Sequence, residues 1–398
     1  MSRIVRAAVI GTGTMGRKYA QMIAAGQVPS MCLAAVVCRS QEAQAWARKT
    51  LPDTVQVWDS ADALYTAADL LGDVLDTQEL LDSADALYTA ADSFDAVLVV
   101  TPHKSHPQLV QQAFAQGKHV LCDKPSAGSI GPALEMNEAA QASGLVYGMM
   151  FHQRMYRKYC RLRELLQSGE LGQVQRVMLE NSRYFRTWQY HASSAWRSSW
   201  GGEGGGALLN QGQHLLDIWQ WLFGMPESVY AMIPYGKYNN FLVDDEATLL
   251  MEYPNRQTAV LILSTGEGAY TERLEVVGSK GTALLEDDLL TVRRFAPDTE
   301  TYRRTASCTE RQQLQQTVTQ ERFGPQEEPY PAMLQNFAQA VLEGTPLAAP
   351  GTEGVRALEL TDAAYLSAWQ GRKVTLPLDA ELFERELAAH IQQEEQHG

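Results

Sequence analysis

Cysteine is scarce. Cys32, Cys38, Cys122, Cys160 and Cys308 are scattered through 398 residues, odd in number and without a C-x-x-C pair. That excludes a disulfide framework and a zinc ribbon. Free, buried thiols in a reducing compartment are expected, and no bound metal. Long apolar runs are missing too: nothing approaches the ~18 residues that span a bilayer. The opening MSRIVRAAVIG passes directly into a strand-like run, without the apolar core and small-residue cleavage site of a leader peptide, so a cytoplasmic location is expected. Basic charge is in deficit, 33 Lys and Arg against 47 Asp and Glu, for a net charge of −14. This argues against a nucleic-acid partner and against polybasic attachment to a membrane. A local arginine cluster can still hold a small anion.

What is present suits a soluble globular protein. Hydrophobic residues make up 45% and charged residues 20%, and 398 residues suffice for two domains with real cores. Short aliphatic runs at 4–10, 32–38, 96–100 and 119–122 alternate with helical patterns near 17–25, 41–49 and 108–116. Strands alternating with helices imply right-handed crossovers and a parallel sheet. DSADALYTAAD occurs twice, at 59–69 and 82–92. Two copies are too few for a solenoid. One copy is expected to fill the usual helix position while the other extends the surface. A helix near 132–143 and a strand near 146–150 follow. From residue 173 the pattern becomes strand-rich and partly alternating, as in an antiparallel sheet with one covered face. Gly278 and Gly281 mark a turn there. Residues 293–328 are polar and poorly periodic, which reads as a loop or exposed arm. Helices near 333–343 and 352–370, a short extended piece and a fraying surface helix complete the chain.

Two stretches carry chemistry. Gly11, Gly13 and Gly16, with Thr12, Thr14 and Met15 between them, form G-x-G-x-x-G where a strand turns into a helix. The first glycine permits the turn, the second admits a pyrophosphate, and the third lets the helix pack closely, with the helix N-terminus attracting the anion. After the second strand, the usual acidic residue for the adenine ribose is replaced by Cys38, Arg39 and Ser40. Nothing there repels a phosphate, so NADP(H) is favoured over NAD(H), which also remains possible. The second stretch, GGGALLNQGQHLLD at 204–217, places Asn210 four residues before His214 and Asp217 three after it. At helical spacing these side chains can share a face.

GTGTMG, TPHKSH, DKP at 123–125 and GEGGGALLNQGQHLLD, in this order, resemble the Gfo/Idh/MocA oxidoreductases, named after glucose–fructose oxidoreductase and inositol dehydrogenase. The likeness covers nearly the whole chain, including FERELAAH near its end. It implies an α/β protein with a Rossmann dinucleotide-binding domain, 1–125, and an α/β domain with a large, mostly antiparallel sheet, 126–398. The second domain would bind substrate and form a homodimer or homotetramer. Lys124 matches the lysine of the family's EKP motif, with Asp123 as a shorter acid, and His214 matches the catalytic histidine. Asn210 falls where inositol dehydrogenase-like members carry aspartate and other branches asparagine. Thr101, Pro102 and His103 match the turn beneath the cofactor ribose and nicotinamide. His106 either joins that turn or packs locally.

The chemistry stands on its own grounds as well. Oxidising a secondary alcohol removes a hydride from carbon and a proton from oxygen. His214 suits proton removal. Lys124 would hydrogen-bond the same oxygen, or itself act as the base. Asn210 can donate and accept toward a sugar hydroxyl. Asp217 either orients His214 or sits in a structural ion pair. Arg154, Tyr184, Arg186, His191, Trp196 and Arg197 are further substrate candidates, because rings cover sugar faces and guanidinium groups bind oxygens. The expected activity is NAD(P)-dependent oxidation or reduction of a sugar or cyclic polyol. Its rivals are glycoside cleavage by an oxidation–elimination cycle on tightly bound NAD, and a non-enzymatic nucleotide sensor.

Overall fold

A computed structural model of the chain describes residues 3–72, 94–194, 196–307, 314–325 and 328–397. They form two compact units. The first begins with β1 (Val5–Ile10), α1 (Thr14–Ala24), β2 (Met31–Val37), α2 (Gln41–Thr50), β3 (Gln56–Trp58) and α3 (Ala61–Gly72). It continues with β4 (Ala96–Val99), α4 (His106–Ala115), β5 (His119–Cys122), α5 (Ile130–Ser143) and β6 (Tyr147–Met149). The strands lie in the order β3-β2-β1-β4-β5-β6, and every neighbouring pair is parallel. Except for Arg6, all of β1 is buried, as a strand covered on both faces requires. The strand order reverses between β1 and β4. In open parallel sheets that reversal creates the ligand crevice at the strands' carboxyl ends.

The first copy of the duplicated segment caps and opens α3, with Ser60 Oγ accepting the Ala63 N–H at 3.2 Å. The second copy lies outside the described residues. The first unit also differs from the expected 1–125 division. It takes in residues 132–152 and 328–355. β6 extends the parallel sheet, and the helix Pro329–Glu343 returns to it, Gln335 donating to Ser30 Oγ at 2.7 Å and accepting the Ser30 N–H at 3.0 Å. Local periodicity carries no sign of such a return.

The second unit contains α6 (Arg157–Gln167), β7 (Val174–Asn181), α7 (Trp188–His191), α8 (Ala207–Asn210) and α9 (Gly212–Phe223). Then come β8 (Ser228–Met232), β9 (Glu246–Glu252), β10 (Thr258–Ser264), β11 (Glu272–Gly278), β12 (Gly281–Glu286), β13 (Leu289–Ala296), α10 (Thr299–Thr305) and β14 (Gln315–Arg322). After the returning helix, α11, the unit is completed by α12 (Gly354–Gln370), β15 (Val374–Thr375) and α13 (Ala380–His397). Its nine strands run β14-β13-β12-β11-β7-β10-β9-β8-β15, and only β7 and β10 pair in parallel. In β9, Ala247, Leu249 and Met251 are buried while Leu250 and Glu252 are exposed, so one face of the sheet is covered. Beside that face lies α9, where Gly212 approaches Leu263 of β10 and Gln213 donates to Thr361 of α12 at 2.8 Å.

Three expectations are corrected. The polar stretch 293–328 is not simply a loop: it completes β13, forms α10 and adds β14, an edge strand with every residue exposed. A strand wet on both faces has no hydrophobic alternation to reveal it. The final helix is anchored rather than frayed: Phe383 and Leu387 are buried, and His390 stacks on Trp369 with ring centres 4.2 Å apart. The described cysteines are free, but Cys32 is exposed and Cys160 half-buried, because those side chains lie on outer positions of their elements. Cys308 falls outside the described residues.

Candidate active site

In the first unit the glycine turn is built as its spacing implies. Gly11 has φ +98°, and a Cβ there would lie 2.5 Å from the Val100 carbonyl oxygen. A Cβ on Gly16 would strike the Gly11 carbonyl oxygen at 1.8 Å, so α1 packs on the turn backbone. Gly13 is different: a Cβ there would meet nothing within 4 Å. No protein atom requires that glycine. It is the N-cap of α1 and has no side-chain capping bond, which leaves the helix's first N–H groups open to an anion. Thr12 is buried, and its carbonyl oxygen accepts from Arg17 Nε at 3.0 Å; Thr14 and Met15 begin α1. The turn therefore fits a dinucleotide pyrophosphate. At the end of β2, Cys38 is buried and Arg39 is exposed. Ser40 caps α2, its Oγ accepting the Ala43 N–H at 3.1 Å.

The turn after β4 is tied to the lysine segment by His106. This residue is fully buried, with Nε2 2.7 Å from the Thr101 carbonyl oxygen and Nδ1 2.9 Å from that of Pro125. Burial lowers its pKa, opposed by the Pro125 carbonyl and Asp123. His103 is buried in the same turn, and Thr101 Oγ1 accepts from Ser105 at 2.7 Å. Asp123 Oδ1 accepts the Lys124 N–H at 2.8 Å. Burial raises the Asp123 carboxyl, opposed mainly by Lys124. Lys124 itself is half-buried. Its surroundings include a residue the sequence did not single out. His152 is pushed down to about 4 by burial and then by Lys124, and its ring centre lies 4.3 Å from that of Tyr330.

In the second unit, residues 203–220 are all buried except Asn210 and His214, which are half-buried. One helical turn apart, they mark the open side of an otherwise packed segment. The glycines before them lie against the unit's own core. A Cβ on Gly205 would lie 2.4 Å from Tyr365 Oη, and one on Gly206 would lie 2.0 Å from the Asp244 carbonyl oxygen. They let the chain meet its own core. There the Asp244 carboxylate accepts the N–H of Gly206 at 2.9 Å, the N–H of Leu208 at 2.6 Å and the Tyr365 hydroxyl at 2.6 Å. Asp244 thus seats the start of α8. Burial raises its carboxyl to about 6 against these donors.

Several substrate candidates gather around Tyr190, which the sequence reading passed over. Its hydroxyl accepts from Arg197 Nη1 at 2.9 Å, Gln211 at 3.1 Å and Asn210 at 3.3 Å. The Arg186 and Arg197 guanidinium carbons lie 4.6 and 4.7 Å from its ring centre. Arg197 also lies 4.6 Å from the Trp196 ring. Asn210 donates to Glu203, and Glu203 accepts the Ser198 N–H at 2.7 Å. His191 Nδ1 contacts Ser198 Oγ at 2.5 Å. Tyr184 accepts from Gln153 at 2.7 Å, and burial pushes its hydroxyl up to about 12. Arg154 and Asp217 do not belong to this group. They form a buried pair, Nε to Oδ2 at 2.9 Å and Nη2 to Oδ1 at 2.5 Å, with each side chain 1% exposed. Of the two roles open for Asp217, the structure shows the ion pair. Of the two roles open for Arg154, burial removes the surface one. Only the fold reveals that their chain segments meet.

Comparison with known proteins adds to this geometry. Residues 5–151 match a family model described as "Oxidoreductase family, NAD-binding Rossmann fold", and residues 163–376 match its companion, "Oxidoreductase family, C-terminal alpha/beta domain". An uncharacterized oxidoreductase of Escherichia coli, YdgJ, is 29% identical over 195 residues, 48% of this chain and 53% of that protein. The match thus spans about half the length of that relative. Inositol 2-dehydrogenase of Mycolicibacterium gilvum is 26% identical over 384 residues, covering 95% of this chain and 94% of that enzyme. Among solved structures, the WlbA dehydrogenase of Bordetella pertussis in complex with NADH and UDP-GlcNAcA superposes with a TM-score of 0.74 at 20% identity, covering 95% of this chain and 100% of that one. This last likeness speaks for the fold alone.

Proposed function

The chain belongs to the Gfo/Idh/MocA oxidoreductase family, and from that premise we propose that it oxidises or reduces a secondary alcohol on a sugar, sugar derivative or cyclic polyol with a nicotinamide dinucleotide. The observation that carries this reading is the pair Asn210 and His214, the only two residues in 203–220 that are not buried. On the open side of an otherwise packed segment, an amide and an imidazole stand where a ligand can reach them.

The glycine turn and the N-terminus of α1 would hold the pyrophosphate, and the turn at Thr101 to His103 the adjoining ribose and nicotinamide. When bound, the nicotinamide ring supplies the hydride acceptor. His214 takes the hydroxyl proton as general base. The Lys124 ammonium donates a hydrogen bond to the same oxygen and stabilises the negative charge it gains. Asn210, held by Glu203 and Tyr190, orients a neighbouring hydroxyl. Arg39 and Ser40, with no carboxylate beside them, favour NADP(H). The uncovered face of the nine-stranded sheet, with Met232 and Leu250 exposed, supports assembly as a homodimer or homotetramer. Among the described residues no helix is long and apolar enough to cross a membrane, in keeping with a cytoplasmic enzyme.

The test is incubation with a panel of polyols, free sugars and aryl glycosides, following nucleotide absorbance and aglycone release together. Net NAD(P)H formation from at least one polyol or sugar is expected. Aglycone release without net reduction would replace this reading with the oxidation–elimination cycle. Nucleotide binding without any turnover would replace it with a sensor.

A further inference from the structure

Arg186 and Arg197 share the Tyr190 ring, yet among the described residues neither has a carboxylate oxygen within 4.0 Å. The two nearby acids are engaged elsewhere. Glu203 accepts from Ser198 and Asn210, and Asp245 accepts the backbone N–H groups of Lys237, Tyr238 and Asn239 at 3.1, 2.8 and 3.0 Å. Three nitrogens of the cluster are buried and have no hydrogen-bond partner among the described residues: Arg186 Nε, Arg197 Nε and His191 Nε2. Buried polar groups are ordinarily satisfied, and clustered cations repel. The π face of Tyr190 offsets part of that repulsion. It leaves several donors aimed at nothing. Burial lowers the His191 pKa, opposed by Asp245 and reinforced by the two arginines.

An incoming group can reach the cluster at Arg186. Arg186 lines a cavity of 520 Å³ together with Phe185, Trp188, Tyr238 and Asn239. Asn210, at the end of α8 just before the helix that carries His214, joins the cluster through its 3.3 Å hydrogen bond to Tyr190. Resting on the sugar-oxidoreductase reading, we infer that the substrate sugar carries an anionic oxygen group, a carboxylate or a phosphate, held by Arg186 and Arg197 around Tyr190. Guanidinium groups match such anions in a way that the hydroxyls of a neutral polyol do not.

The experiment uses the full-length protein with saturating reduced dinucleotide, so that the pyrophosphate site is filled. Inorganic phosphate, acetate and chloride are titrated at constant ionic strength, and binding is read from thermal shifts. Saturable stabilisation by phosphate or acetate beyond chloride is expected, weakened at least about tenfold by Arg186→Gln or Arg197→Gln and partly restored by Arg186→Lys. Preference for phosphate indicates a sugar phosphate, and preference for acetate a uronic acid. Dinucleotide binding by each variant, read by fluorescence, shows that it is folded. Stabilisation no greater than with chloride, or unchanged in folded glutamine variants, would overturn the inference. In that event, continued oxidation of neutral polyols would leave the enzyme reading intact, whereas loss of dinucleotide binding by the unaltered protein would end both.

Discussion

Arg154 and Asp217 show how far a residue's meaning depends on its partner. In the sequence each is a polar group near an expected substrate site. In the fold they neutralise one another with 1% exposure apiece. Removing one leaves the other charged and buried, so Arg154→Ala should cost about 3–5 kcal/mol of stability, while Arg154→Met with Asp217→Leu should cost much less. Urea unfolding of the wild type and the two variants measures this. His152 gives a pH signature. Its folded pKa of about 4 lies below the ordinary imidazole value of 6.5, so the unfolded chain takes up a proton that the folded one resists. The stability this residue contributes is complete above pH 6.5 and drains away as pH falls toward 4. The loss should be about 3 kcal/mol at most. Thermal melts across that window should fall more steeply for the wild type than for His152→Phe.

At the scale of elements, the two glycine-rich turns look alike in sequence and differ in cause. Gly206 is required by its own core, whereas among the described residues no atom lies where a Gly13 Cβ would go. Gly206→Ala should therefore lower the melting temperature, since a Cβ 2.0 Å from the Asp244 carbonyl oxygen must push α8 off its seat. Gly13→Ala should leave the melting temperature within a few degrees of the wild type while weakening dinucleotide binding at least about tenfold. Calorimetry and a dinucleotide titration separate the two patterns. The nucleotide turn was legible because a strand, three glycines and a helix are consecutive in the chain. The seat of α8 was not, because it depends on Asp244 and Tyr365, 38 and 159 residues away from Gly206. Tyr190 was missed for a related reason. Nothing local distinguishes it from the other aromatics around it, and only Arg186, Arg197, Asn210 and Gln211 converging on it reveal its place.

For the whole molecule, the sequence revealed a parallel sheet and the change to antiparallel pairing, since both leave hydrophobic traces. It did not reveal that residues 328–355 return to the first unit, nor that the polar run 315–322 forms an edge strand. Those features rest on long-range packing and on backbone ladders, which composition does not record. Lys124 and His214 belong to different units, and the proposed chemistry asks both to act on one alcohol oxygen. A double-mutant cycle on turnover tests that demand most directly, using Lys124→Ala, His214→Ala and the pair together, on whichever sugar or polyol is oxidised. Each single variant should lose about 10²–10⁴-fold in kcat with dinucleotide affinity largely kept, and the double variant should be little worse than the poorer single. If either single variant turned over within about tenfold of the wild type, below the range of a working acid–base group, that residue would not be part of the chemistry.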